Sequence, residues 1–128
     1  MSALSDYAEN KLLDHLLGTA AYTAPTTVYI GLATGSFGDD NSGVELTGNN
    51  YARKAITFDS AASGATDNTS AVEFNAATGT WGSVSNFGLF DQSSGGNLLL
   101  HGAFQNPKTI ASGDVLKIDA GDLDITAD

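Results

Sequence analysis

The apolar positions of this chain change their period once. Between residues 4 and 17, Leu4, Ala8, Leu12, Leu13, Leu16 and Leu17 recur at spacings of three and four, which lines them along one side of a helix. Ser2 or Ser5 can cap its start, Asp6 and Glu9 lie in its first turns, and Gly18 stands where a C-terminal cap is expected. The pattern predicts a helix over residues 4–17. At about 1.5 Å per residue it would be ~21 Å long. Alone in water such a helix is marginal, so its stripe requires a surface to cover it.

After Pro25 the period falls to two. Val28, Ile30 and Leu32 alternate with Thr27, Tyr29 and Gly31, as in a strand buried on one face. Tyr51 to Phe58, Ala71 to Ala76, Trp81 to Phe90, Leu98 to Phe104, Val115 to Ile118 and Leu123 to Ile125 also read as strands. Turn residues separate them: Ser63-Gly64, Thr78-Gly79, Gly95-Gly96, Asn106-Pro107, Ser112-Gly113 and Ala120-Gly121. Residues 34–50 form a long polar loop, and the stretch DSAASGATDNTS from Asp59 looks like a second one.

Short strands at this spacing predict a mainly β protein: an antiparallel β-sandwich, jelly-roll-like, preceded by one N-terminal α-helix. A single domain over residues 1–128 is expected, with the helix in 1–18 and the sandwich in 26–128. Val28, Ile30, Leu32, Trp81, Phe87, Phe104 and Leu116 are the expected core.

Composition narrows the function classes. The net charge is −10, from 15 acidic and 5 basic residues, and only Arg53 and Lys54 stand together. Nucleic-acid binding replaces phosphate counterions with Lys and Arg, so no nucleic-acid partner is expected. No window approaches the ~18 apolar residues of a membrane span. A soluble protein with no membrane partner follows, and no secretory signal is visible at the start. The absence of cysteine removes disulfides and thiolate chemistry. Fifteen glycines weaken isolated strands, so contacts between copies are expected to add stability.

The search for chemistry returns little. His15 lies on the predicted helix and His101 in the strand LLLHGAF; neither belongs to a G-x-S-x-G elbow, and both read as structural. Asp39, Asn41 and Glu45 resemble an oxygen-donor loop for calcium, but counting from Asp39 puts Gly43, Val44 and Asn50 at its fifth, sixth and twelfth positions, so the EF-hand pattern fails. Asp119, Asp122, Asp124 and Asp128 form a second acidic group, whose alternation with Leu123 and Ile125 fits the outer face of an edge strand. Trp81, Phe87 and Phe90 can be read as a sugar-stacking platform or as core, and core is the expected role. No catalytic, cofactor-binding or metal-binding residue is assigned, and no cofactor is expected.

Four segments carry a resemblance: LSDYAENKLLDHLLGTAAYTAPTTVYIGLATG, YARKAITF, GTWGSVSNFGLFDQSSGGNLLLHGAF and PKTIASGDVLKIDAGDLDIT. In this order they are similar to small structural proteins of tailed bacteriophages, described as tail-fibre-like or minor capsid proteins. The resemblance implies a non-enzymatic virion component. Its expected role is a capsid decoration (cement) protein on the outer capsid surface, a homotrimer bracing the major capsid protein. The alternative is a tail or baseplate adsorption protein that binds a host surface glycan. A small β-sandwich glycan hydrolase is the third reading, since fold alone does not decide chemistry.

Overall fold

The computed structural model describes residues 2–127. In chain order its elements are β1 (Ser2–Leu4), α1 (Asp6–Leu16), β2 (Val28–Ala33), β3 (Lys54–Ile56), β4 (Ala65–Asp67), β5 (Val72–Glu73), β6 (Gly82–Phe90), β7 (Leu98–Ile110), β8 (Lys117–Ile118) and β9 (Asp124–Thr126). Five strands form one antiparallel sheet in the order β1-β7-β6-β2-β3. Two antiparallel ribbons, β4-β9 and β5-β8, make the facing layer. The chain is thus mainly β and sandwich-like, with one helix near the N-terminus, as the sequence predicts.

The period of two explains the layering. Ile30 and Leu32 stand opposite Leu89 and Phe87 across β2 and β6, and all four turn to the main core. Val72, Phe74, Leu116, Ile118, Leu123 and Ile125 close that core from the facing layer. Of the expected core residues, Ile30, Leu32, Trp81, Phe87 and Leu116 are buried, while Val28 and Phe104 are only partly buried at its margin.

The opposite face of β2 and β6 carries a second, smaller core that the sequence reading leaves out. Gly31 and Gly88 are paired across the strands. A Cβ on Gly88 would lie 2.9 Å from Phe90, 3.0 Å from Leu98 and 3.1 Å from Phe37. The two glycines therefore open a trough in the sheet, and Phe37 from the polar 34–50 stretch drops onto it with Ala33, Phe90 and Leu98. Phe37 and Phe90 meet edge to face at 5.6 Å between centroids. Phe37, the one aromatic of the 34–50 loop, is what lays that loop over this face of the sheet.

Three predicted elements differ. The helix does not begin at residue 4: Ser2–Leu4 is a strand pairing with Leu100–Gly102 of β7, and the helix starts at Asp6 behind the cap Ser5. Ser5 accepts a hydrogen bond from Ala8 N at 3.1 Å and donates from Oγ to the Leu98 carbonyl, so one buried hydroxyl both caps the helix and ties it to the sheet. The segment after Asp59 contains strand β4, held by pairing with β9 rather than by apolar content of its own. Asn106-Pro107, expected as a turn, lies inside the 13-residue β7. Between the pairs Val84↔Lys108 and Asn86↔Ala103, β6 advances by two residues and β7 by five, so β7 bulges there. Pro107, which has no N–H to give a ladder, is accommodated by that bulge.

The two ends of the described chain meet. Ser2 Oγ lies 3.4 Å from the Thr126 carbonyl and 3.3 Å from the Thr126 amide. Among the described residues no helix is long and apolar enough to cross a membrane.

Candidate functional site

The residues singled out in the sequence are dispersed. His101 is buried in β7 and its Nε2 lies 2.7 Å from Asp39 Oδ1. His15 is exposed on the helix, where its Nδ1 accepts from the Tyr22 amide at 3.1 Å. Each histidine is thus engaged by a partner other than a serine. Asp39, Asn41 and Glu45 are not brought together: Asp39 goes to His101 and Glu45 to Arg53. Among the described residues no group of three or more His, Asp or Glu side chains is arranged to hold a metal ion. Trp81, Phe87 and Phe90 are buried, Trp81 with its Nε1 donating to the Asn49 carbonyl at 3.0 Å, so they form no stacking platform on the surface. Asp119 pairs with Lys117 at 3.6 Å, Asp124 is exposed while Leu123 and Ile125 are buried, and Asp128 lies outside the described residues.

Arg53, read in the sequence only as half of a basic pair, is the most connected polar residue. Its Nε and Nη2 donate to both carboxylate oxygens of Glu45 at 2.9 and 2.7 Å, and its Nη1 donates to the carbonyls of Gln92 and Gly95, both at 2.8 Å. The guanidinium lies 3.5 Å from the centroid of Phe90. A planar five-donor fork suits this combination of carboxylate, carbonyls and ring face; lysine does not. Tyr51 completes the cluster, donating to Glu45 at 2.5 Å and accepting from Leu32 N at 2.8 Å. Burial, then the hydrogen bond to Glu45, raises the Tyr51 phenol well above its usual range. A Cβ on Gly31 would lie 2.7 Å from Glu45 Oε2, so the glycine is what admits the cluster to the sheet. Its bonds run within the cluster, to β2 at Leu32 and to the loop joining β6 and β7. The cluster is a brace.

Two surfaces remain open. On the helix, no residue is buried, and Leu12, Leu13, Leu16 and Leu17 are 40, 55, 68 and 74 % exposed. The leucine stripe is therefore not covered by the chain's own sandwich. The start of the helix is tied to the sheet layer through Ser5 to β7 and through the Asp6 amide to the Asp39 carbonyl at 2.8 Å. Among the described residues its end bonds only to the segment that follows it, through His15 to the Tyr22 amide and Asp14 to Thr19.

The second surface is a cleft of about 290 Å³ beside the β7 bulge. Val84, Phe104, Leu116, Ile118 and Leu123 line its inner part, and all of them belong to the main core or its margin. Gln105, Asn106, Lys108 and Asp122 line the rest, and all four are exposed. The bulge is the local cause: three extra residues in β7 push Gln105 and Asn106 outward from the ladder. The signal in the sequence is Pro107 within the polar run Gln105-Asn106-Pro107-Lys108-Thr109, which marks an edge or a bulge as readily as a turn.

A family model described as podophage GP4 fiber I protein gp80 matches residues 3–126. The chain belongs to that family. The gp80-family match spans both layers, the helix and the cleft, so every surface described above falls within it. It places the chain among bacteriophage virion structural proteins of the tail-fibre-like kind. None of the curated proteins matches the chain.

Proposed function

We propose that this protein is a subunit of a tail-associated virion fibre, and that its copies assemble as a homotrimer through the leucine face of the helix. The observation that carries the assembly is the exposure of Leu12, Leu13, Leu16 and Leu17. At about 100° per residue these four side chains span roughly 140° of the helix circumference. That is broader than the narrow seam of a two-stranded pair, and it suits burial against two neighbours. A compact domain of this size has a radius of gyration of roughly 14 Å. Extension into a fibre therefore comes from association between copies or with other chains. The negative charge is consistent with a position away from packaged genome.

The fibre description of the family favours the tail-associated reading over decoration of the capsid, the role expected from the sequence alone. The test is a phage lacking this protein. The fibre reading expects particles of normal heat stability that adsorb poorly to host cells. Normal adsorption with loss of DNA at lower temperature would instead make the protein a capsid brace with the major capsid protein as its partner. Light scattering of the purified chain checks the assembly: a mass three times that of one chain supports it, and a monomer at micromolar concentration removes it.

A further inference from the structure

The cleft beside the β7 bulge has the composition of a ligand site. We propose that it binds a neutral, hydroxyl-rich ligand, one or two units of a carbohydrate, with the ring held over Phe104 and the hydroxyls met by Gln105, Asn106, Lys108 and Asp122. The inference rests on the adsorption reading above and supplies its binding site.

The polar side chains supply the first argument. Within the described residues, Gln105, Asn106 and Asp122 make no side-chain hydrogen bond, and Lys108 reaches only the Lys117 carbonyl at 3.5 Å. Their donors and acceptors are uncommitted. Two amides offer donors and acceptors side by side, the ammonium donates and the carboxylate accepts. Neighbouring sugar hydroxyls, each both donor and acceptor, match this mixture. A single-signed ligand does not, because the one cation and the one anion of the cleft offset each other.

The floor supplies the second. Phe104 is only partly buried, in contact with Phe87 at 5.4 Å between centroids, and is the one aromatic in the cleft. A partly exposed ring among free polar groups accepts the C–H face of a sugar ring while the rim binds its edges. The volume of 290 Å³ lies at the small end of ligand sites, roughly 300–1,000 Å³. It suits a terminal unit or a disaccharide.

A peptide strand is the competing occupant, and the backbone argues against it. Strand addition needs a run of free N–H and C=O groups in register. Here Pro107 removes a donor and the bulge breaks the repeat. None of the residues lining the cleft lies on the helix, so assembly through the leucine face does not draw on them.

The test uses the full chain on an array of bacterial surface oligosaccharides, followed by saturation-transfer NMR with each oligosaccharide that binds. The expected result is binding to neutral sugars, weakened about tenfold by Gln105→Ala and by Asn106→Ala, with melting temperatures unchanged. Phe104→Leu, which keeps an apolar floor, should weaken binding and abolish ring-proton saturation. An array with no bound sugar overturns the proposal, as does binding that all three folded variants retain in full. If the deletion phage adsorbs poorly but the chain binds no sugar, the cleft assignment fails alone. If the chain binds sugar and the deletion phage adsorbs normally, the adsorption role fails alone.

Discussion

Asn68 is 1 % exposed, and both N–H groups and the oxygen of its amide are engaged. Its Nδ2 donates to the carbonyls of Ser70 and Asp119, both at 2.9 Å, and its Oδ1 accepts from the Leu123 amide at 2.9 Å. One side chain thereby holds the approach to β9 against the segment leading to β5. Asn68→Ala strands the buried Leu123 amide, at about 1–3 kcal/mol, and frees the part-buried carbonyls of Ser70 and Asp119, which water can reach. A loss of about 1–3 kcal/mol in urea unfolding is expected, and a smaller loss would show that water replaces the amide. Tyr51 gives a pH-dependent counterpart. Its phenol is raised in the folded state, so its contribution is complete below the unfolded value of about 10 and declines as pH rises beyond it. Tyr51→Phe should be less stable than the parent at pH 8, with the difference narrowing as chemical unfolding is repeated toward pH 11. Neither role was legible beforehand. An asparagine in a Ser-Thr-Ala-rich stretch looks like loop, and its three partners are 2, 51 and 55 residues away.

At the level of elements, legibility followed the source of order. Strands β2 and β6 carry their own alternation and appear close to where the pattern puts them. Strands β1 and β4 do not: Ser2–Leu4 and Ala65–Asp67 hold too few apolar residues for a period, and each is a strand because a partner strand satisfies its backbone. The helical period is legible in the sequence, whereas the surface that covers its stripe is left open. Periodicity reports which residues share a face, and says nothing of whether the cover comes from the same chain. Most of the cleft is illegible for the same reason, since its rim and floor come from β6, β7, β8 and the segments leading into β8 and β9. The exposed face gives a sharp expectation. A chain carrying Leu13→Glu and Leu16→Glu should unfold as a monomer within about 0.5 kcal/mol of the parent's monomeric stability, yet sediment as a single copy. A variant that fails to fold would place those leucines in the monomer's core instead.

For the whole molecule, the five-stranded sheet joins residues far apart in the chain. Pairing β1 with β7 closes a loop of nearly a hundred residues, which by loop-closure entropy opposes the contact by about 4 kcal/mol. The closing contacts are local in space only after the rest has formed, so β1 and the helix behind it are expected to dock late. The meeting of Ser2 and Thr126 carries this further. Because these residues are already in contact, the order in which the segments are synthesised is separable from the shape they make. A ring closed by a short glycine tether and reopened in the polar stretch 59–64 would draw the former N-terminal strand into mid-chain. Its pairing partner would then be reached across a much shorter loop. Stopped-flow refolding of that permutant should lose its slowest phase while the equilibrium fold, read by amide spectra, is retained.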